Sequence, residues 1–403
     1  MPAYPVYLLI RGVAAFAMAT AGTLNLVYQI QTIGLGPLEL VLVGTVLEIT
    51  CFVAQIPTGV IADLYSRRLS VIIGYLLIGI GFALEGLVPA FVAVLIGNVI
   101  WGIGATCVDG AEEAWITDEA GEERAGRTFT RGSQVAQIAT VLGIGASVAL
   151  ASVRLNLPVV IGAAGWIVLG LALIVIMPER HFHRAPADER GSFRSMRTQV
   201  ATGGGVVRSS PVLLCLLGAV FFVGLSSETR DRLTHAHFLA DLTFPTIGTP
   251  VLWFGAMSVA AMLCSIVLTE VVRRRSQSLR ADRVGRLLVA FGIISTLAAG
   301  AFALAGEFWT AVAASLIGAL VRGSAEPLQS TWIAERSDSR SRATVFSLVG
   351  QVDAAGQIVG GPPIGLLGER AGIRAALLAA ALLVAPAVGL YARAQRLQSR
   401  SRS

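Results

Sequence analysis

The stretch Gly59-Val-Ile-Ala-Asp63-Leu-Tyr-Ser-Arg67-Arg68 separates two long apolar segments of the chain. It brings one acid and a pair of arginines together between segments that carry few other charges. Charged side chains are expensive inside a bilayer and collect where helices reach the membrane surface. The stretch therefore predicts a short polar turn that joins two membrane-spanning helices.

The composition of the rest of the chain agrees with a membrane protein. The 403 residues are 55% hydrophobic and only 14% charged, and the mean hydropathy is +0.73. Twelve spans of roughly 20 residues would use about 240 positions, which leaves little room for a domain outside the membrane. The four cysteines all lie in apolar runs without paired spacing, so we expect neither disulfides nor a metal site.

A hydropathy scan predicts twelve helices and the orientation of the chain. All 31 basic residues are arginines, and 24 of them fall on one set of alternate loops and tails against five on the other. The positive-inside rule then predicts that both termini are cytoplasmic. Charges at helix ends are what a membrane protein needs, so the net charge of +6 does not indicate nucleic-acid binding. The predicted spans lie near residues 6–30, 38–62, 70–89, 91–116, 130–153, 156–177, 209–229, 249–273, 285–306, 308–334, 341–366 and 371–394.

The spans divide into two halves. Residues 1–177 form an N-terminal six-helix half, 178–208 a cytoplasmic linker, and 209–403 a C-terminal six-helix half with a short basic tail. Within the linker, residues 188–197 fit either a short amphipathic helix on anionic lipid or a solvated connection.

An internal repeat supports this division. A shift of 217 residues superimposes Trp115-Ile116 on Trp332-Ile333 and Gly143 on Gly360 without a gap. The two halves therefore resemble parallel repeats, an arrangement of transporters whose halves rock around a site near the middle of the membrane. The predicted fold class is an all-α membrane protein with twelve transmembrane helices in two pseudo-symmetric halves.

The opening stretch closely resembles the signature loop of the major facilitator superfamily, in which Gly-x-x-x-Asp precedes a basic pair. Asp282-Arg283-Val-Gly285-Arg286 stands where the degenerate second copy is expected. Within the superfamily, Gln55-Ile-Pro57-Thr-Gly59 is similar to the twelve-span drug:proton antiporters that include macrolide and tetracycline efflux proteins. The resemblance implies a monomeric transporter of the bacterial inner membrane, in which both loops stabilise the outward-facing state. The gating residues that it implies are Gly59, Asp63, Arg67, Arg68, Asp282, Arg283 and Arg286.

The chemistry of this loop can also be read from its residues. Gly59 permits a close helix approach, and Asp63 can accept hydrogen bonds at a helix N-terminus. Arg67 and Arg68 can pair with carboxylates at the end of a neighbouring span, and the nearest acids are Glu112, Glu113 and Asp118. The alternative is that the loop supplies only the charge that sets topology.

Ionisable residues inside the predicted spans are the candidates for proton coupling and substrate binding. Glu48 comes first as a proton carrier, because burial in a bilayer favours the neutral form of a carboxyl group; the alternative is an ion pair with an arginine such as Arg11. Arg322 and Glu326 are four residues apart and can pair on one helix face; alternatively, protonation of Glu326 frees Arg322 for an anionic substrate group or for a carboxylate opposite. The full candidate set is Arg11, Glu48, Asp109, Arg322, Glu326 and Asp353.

Span seven is predicted to end near Glu228. The charged residues that follow, with His235 and His237 beyond them, are expected to form an irregular, solvated outer segment rather than a metal site.

The leading functional hypothesis is proton-coupled export of amphipathic drugs, with lipid, protons and the drug as partners and no cofactor. The alternatives are a transporter of a metabolite or organic anion, by symport or facilitated diffusion, and a membrane sensor that does not transport. An enzyme is not expected, because no catalytic triad, phosphate-binding glycine loop or metal cluster is present in the sequence.

Overall fold

The computed structural model of the chain describes residues 2–182, 205, 207, 208, 210–276, 281–337 and 342–400. All regular secondary structure in these residues is helical. The predicted linker helix at 188–197 lies outside them.

Between residues 2 and 182 the first half contains six long helical regions. Four of them are single helices, and the first and fourth are interrupted, as described below. The helices are α1 (Ala3–Gly22), α2 (Asn25–Tyr28) with a π-helical turn (Gln29–Ile33), α3 (Pro37–Leu64), α4 (Arg67–Leu87), α5 (Phe91–Val108), α6 (Ala111–Ala120), α7 (Glu122–Ala151) and α8 (Leu157–Ile176).

The described residues of the second half form six long helices: α9 (Pro211–Asp241), α10 (Pro250–Ser276), α11 (Ala281–Leu304), α12 (Phe308–Glu335), α13 (Arg342–Ala371) and α14 (Ile373–Arg400). Among the described residues, eleven helical regions of the chain are long and apolar enough to cross a membrane. The remaining long helix is α13, whose sequence is diluted by glycine, proline, Gln351 and Asp353. In the part of the chain that the structure describes, the fold is the predicted one: all α, with twelve long helical regions in two repeated halves.

Two helix boundaries differ from the prediction. The helix predicted to end near Glu228 continues to Asp241, because Leu233, Ala236 and Phe238 supply a buried apolar face beyond the charged residues. His237 is fully buried there, with one ring nitrogen 2.8 Å from Asp241 and the other 3.0 Å from a backbone carbonyl. The predicted irregular, solvated segment is therefore wrong.

The predicted fourth span is also not continuous. It breaks at Asp109 and Gly110, and Gly110 has a φ of 74°, a left-handed conformation that favours glycine. Asp109 is exposed at this break rather than enclosed within a helix. In this segment the buried acid is instead Glu112 in α6. Hydropathy alone does not distinguish it from the other acids of the segment.

The chain forms two compact units, each with its own core. Within the first unit α1 packs on α7 and α8, and α4 packs on α5 and α8. Within the second, α9 packs on α13 and α14, and α11 packs on α12 and α14. The helix pairs correspond one to one under the sequence repeat. The first unit comprises Met1–Leu35, Val46–Gly191 and Thr249–Ser258, and the second comprises Gly36–Thr45, Ser192–Gly248 and Val259–Ser403.

Side chains aligned by the repeat have equivalent environments. Trp115 and Trp332 are both fully buried, and each indole N–H donates a hydrogen bond of 2.6 Å. The acceptors are the Pro178 carbonyl, just after α8, and the Gln398 side chain, near the end of α14. The repeat inferred from identical residues therefore corresponds to a repeat of packing.

Candidate functional site

A cavity of about 530 Å³ lies within the second unit. It is bordered by α9, α11, α12, α13 and α14, and its volume is in the range of small-molecule binding sites. Five charged residues contribute to its walls: Arg230, Asp231, Arg322, Glu326 and Asp353. Three of these are candidates predicted from the sequence, and the structure brings them together.

Arg322 forms an ion pair across the cavity rather than along its own helix. Its guanidinium donates to Asp231 at 2.7 Å, so the predicted pairing with Glu326, one turn away, is replaced by a bond from α12 to α9. The two side chains are 43% and 52% exposed. An ion pair this open contributes little to stability, since water and ions screen it. It can therefore break and re-form at low cost.

Glu326 and Asp353 carry the other two carboxylates of the cavity. Asp353 accepts a hydrogen bond of 2.9 Å from Gln357, one turn along α13. Glu326 is exposed on α12, and the two carboxylates repel each other electrostatically. Protonation of either one would relieve that repulsion.

Arg230 and Asp231 are the two charged residues of the cavity that the sequence did not identify as candidates. Both lie beyond the predicted end of span seven, in the segment predicted to be solvated on the outer side of the membrane. The continuation of α9 brings Arg230 and Asp231 to the cavity, together with Val220, Val223 and Ser227. This spacing of three to four residues is that of one helix face, and it was the available signal.

The rest of the wall is largely apolar. Phe291, Phe346 and Tyr391 line the cavity alongside aliphatic side chains, and the Tyr391 hydroxyl donates to Gln329 at 2.9 Å. The sequence alone does not distinguish these three residues from aromatic residues that pack helices against one another.

A second group of charges lies within the first unit. Glu112 is buried and accepts a hydrogen bond of 2.6 Å from the Tyr75 hydroxyl, and its other oxygen lies 3.7 Å from Arg11. The suggested pairing of Arg11 with Glu48 is therefore not the one that forms. Glu48 lies half-buried within α3, and its role as a proton carrier remains a prediction.

The signature loop forms the predicted bridge at one of its arginines. Arg67 pairs with Asp118 and also donates to the Ala114 carbonyl at 3.2 Å, which ties the start of α4 to α6. The backbone N–H of Arg68 donates to Glu179 at 3.0 Å, and Ser66 donates to the same carboxylate at 2.6 Å. Among the three predicted acids, Asp118 is thus the partner of Arg67.

Other expectations for this loop have mixed outcomes. Ser66 caps α4 by accepting from the Leu69 N–H at 2.9 Å. Nothing among the described residues comes within 4 Å of a Cβ built on Gly59, so the close approach expected there is wrong. The side chains of Asp63 and Asp282 lie outside the described residues, while Arg283 and Arg286 are exposed near the start of α11.

Comparison with known proteins decides the family. The family model described as Major Facilitator Superfamily matches residues 7–350, which is most of the chain. The chain belongs to the major facilitator superfamily.

This superfamily member resembles both curated and solved proteins. It is 22% identical over 357 residues to the uncharacterized MFS-type transporter YxaM of Bacillus subtilis (strain 168), covering 88% of this chain and 86% of that protein. The nucleoside transporter NupG shares 14% identity at a TM-score of 0.77, over 98% of this chain and 99% of NupG. A bacterial homolog of the human lysosomal transporter Spinster shares 17% identity at a TM-score of 0.74, over 98% of each chain. At these identities the solved structures establish the fold alone.

Superfamily membership makes the protein a multi-pass membrane protein and a secondary transporter. The cavity of the second unit and the arginine-rich loop of the first then become candidates for substrate binding and for gating.

Proposed function

We propose that the protein is a proton-coupled transporter of a small, polar organic metabolite that binds in the cavity of the second unit. The observation that carries the proposal is the grouping of two arginines and three carboxylates around about 530 Å³ of space. Such a site can neutralise a charged substrate. Its carboxylates can also bind and release protons as the transporter opens alternately to the two sides of the membrane. This favours the metabolite alternative over the drug export that the sequence favoured.

Glu326 and Asp353 are the proposed proton carriers. They repel each other at the cavity wall, and Asp353 accepts a hydrogen bond from a neutral amide, that of Gln357. Asp231 is less suited to this role, because Arg322 already neutralises it at 2.7 Å. Glu48 in the first unit stays a further candidate, and Asp109 becomes a weaker one because it is exposed at a helix break.

Export of an amphipathic drug is a second candidate function. Its support is the aromatic and aliphatic part of the cavity wall, including Phe291, Phe346 and Tyr391. Apolar walls with a few polar groups are common in binding sites for drug-sized molecules.

The proposed setting is the plasma membrane of a bacterium, with a monomeric chain and both termini in the cytoplasm. The support is the distribution of arginine, 24 against five, between the two sets of loops. The Arg67–Asp118 bridge is the proposed gating contact, in line with the role of the signature loop in the superfamily.

A substrate panel tests the proposal in a bacterium that lacks its own pumps. Accumulation of each compound is measured with and without an uncoupler, for the wild type and for Glu326→Gln, Asp353→Asn and Glu307→Gln. Glu307 is an exposed acid just before α12 and outside the cavity, so its variant is the matched control.

We expect Glu326→Gln or Asp353→Asn to reduce uncoupler-sensitive transport by about tenfold or more, since each removes a proton-binding group. Exchange of labelled for unlabelled substrate should persist, because it requires no net proton movement. Full uncoupler-sensitive transport in both variants would contradict the proposed carriers. Transport of metabolites by the wild type would support the metabolite transporter, and transport of neutral or cationic drugs would support drug export.

A further inference from the structure

The two arginines of the cavity differ in how their charge is balanced. Arg322 has a carboxylate partner in Asp231 at 2.7 Å. Arg230 has no carboxylate within the 4 Å of an ion pair among the residues that the structure describes, and its Nε–H is buried without an acceptor. Arg230 is therefore the cation of the cavity whose charge is left available.

The surroundings of Arg230 show why the neighbouring acids do not neutralise it. Asp231 is next to it in the chain, but its carboxylate is bonded to Arg322. Two arginines so close together repel each other, and one carboxylate cannot neutralise both. Glu326 acts electrostatically on Arg322 and on Asp353, and neither of these two carboxylates is among the charges that act on Arg230.

A guanidinium in a membrane protein is costly to keep without a counter-ion. It is always charged, and its planar fork binds a carboxylate through two parallel hydrogen bonds. From these observations we infer that Arg230 is the anchor for an anionic group of the substrate, and that the transported molecule is an organic carboxylate. The inference rests on the proposed function, because it takes the cavity as the substrate site.

The geometry also gives Arg322 a different role from the one expected from the sequence. Its bond to Asp231 links α12 to α9 beside Arg230 and balances the charge of Arg322, which leaves Arg230 to receive the anion. The aromatic wall of Phe291 and Phe346 is available for the apolar part of the molecule. The cavity would thus select its substrate by one contact between Arg230 and an anionic group, together with packing of an apolar part against the aromatic wall.

A binding assay on the purified full-length protein in detergent tests the inference without requiring transport. The probes are aliphatic and aromatic monocarboxylates small enough for about 530 Å³, each paired with its own primary amide. The readout is the shift in melting temperature with increasing probe concentration. The variants are Arg230→Gln, Arg230→Lys and, as a matched control, Arg370→Gln, which removes an exposed arginine in the last turn of α13.

We expect at least one acid to stabilise the wild type and the control variant more than its amide does. Arg230→Gln should weaken apparent binding of that acid by about tenfold or more, because a charge-assisted, bidentate contact is lost. Arg230→Lys should retain part of it, since the charge remains but the fork does not. Monodisperse elution of each variant in size-exclusion chromatography shows that it has folded.

Two results would overturn the inference: no acid stabilises the wild type more than its amide, or the acid-specific shift survives in Arg230→Gln. Failure of the inference is distinguishable from failure of the proposed function. If the protein transports an uncharged compound in an uncoupler-sensitive way and Arg230→Gln leaves that transport intact, the carboxylate anchor is wrong while proton-coupled transport stands.

Discussion

At the scale of single residues, Glu112 is a buried acid outside the cavity. Its side chain is 6% exposed, Tyr75 donates to one oxygen at 2.6 Å, and Arg11 lies 3.7 Å from the other. The oxygen that faces Arg11 accepts no hydrogen bond among the described residues. The carboxylate therefore depends on one phenol and one loosely held guanidinium.

Substitution of this acid should show how much these contacts contribute to stability. We expect Glu112→Gln to lower the free energy of unfolding by about 1–2 kcal/mol, because Tyr75 keeps an acceptor while Arg11 loses its counter-charge. The melting temperature of the purified protein measures it, and Glu113→Gln, an exposed neighbour on the same helix, should change it little. Equal melting temperatures for all three proteins would mean that the contact between Glu112 and Arg11 contributes nothing to stability.

The residues of the cavity show how far the sequence predicts a site of this kind. Arg322, Glu326 and Asp353 were identifiable because each interrupts an apolar helix and so needs a reason to be there. Arg230 was not, since it lies among other charges where the hydropathy of α9 falls. The sequence allowed Arg322 a carboxylate opposite but did not identify Asp231, since neighbours on one helix are visible in a sequence, whereas a contact from α12 to α9 depends on tertiary packing.

At the scale of helices, close packing depends on glycines at particular faces. In the first unit α7 crosses α1 at Gly143, where a Cβ would lie 2.6 Å from the Phe16 carbonyl oxygen. In the second, α13 approaches α9 at the aligned Gly360, and a Cβ there would overlap the Leu225 backbone. The sequence repeat matched these glycines, but the helices that they contact became known only from the structure. Gly59, which lies in the signature loop, makes no such contact with the described residues.

Two glycines on α7 allow this effect to be measured. Gly143→Ala should destabilise the protein by about 1–3 kcal/mol, because the methyl group meets backbone atoms of α1 that must move. Gly145→Ala, two residues away on an exposed face with nothing within 4 Å, should instead stabilise the helix by about 0.5–1 kcal/mol. The melting temperatures of both variants, compared with the wild type, measure these changes in stability. If the two changes have the same sign, close packing of α1 on α7 is not what Gly143 provides.

At the scale of the whole molecule, the repeat was the most reliable information in the sequence. It correctly indicated that Trp115 and Trp332 have equivalent surroundings, and each donates a bond to the end of the sixth helix of its own half. Hydropathy predicted the helices well where they are uniformly apolar. It failed where polar residues lie within a helix or a glycine divides it, as at Glu228 and Gly110, because a window average does not register a buried face or a single φ angle.

The orientation of the chain is a property of the whole molecule, since it follows from the arginine count over all loops. Both termini should be cytoplasmic, which places the loop after α9 outside and the start of α7 inside. In intact cells, a maleimide that does not cross membranes should label Thr246→Cys and leave Glu123→Cys unlabelled until the cells are permeabilised. Both positions are exposed, and the exposed native thiol of Cys264 is first replaced by serine. If only Glu123→Cys is labelled in intact cells, the orientation is the opposite of the predicted one. It would also mean that the Arg67–Asp118 bridge acts on the outer side of the membrane, where the proposed gate could not close the cytoplasmic path.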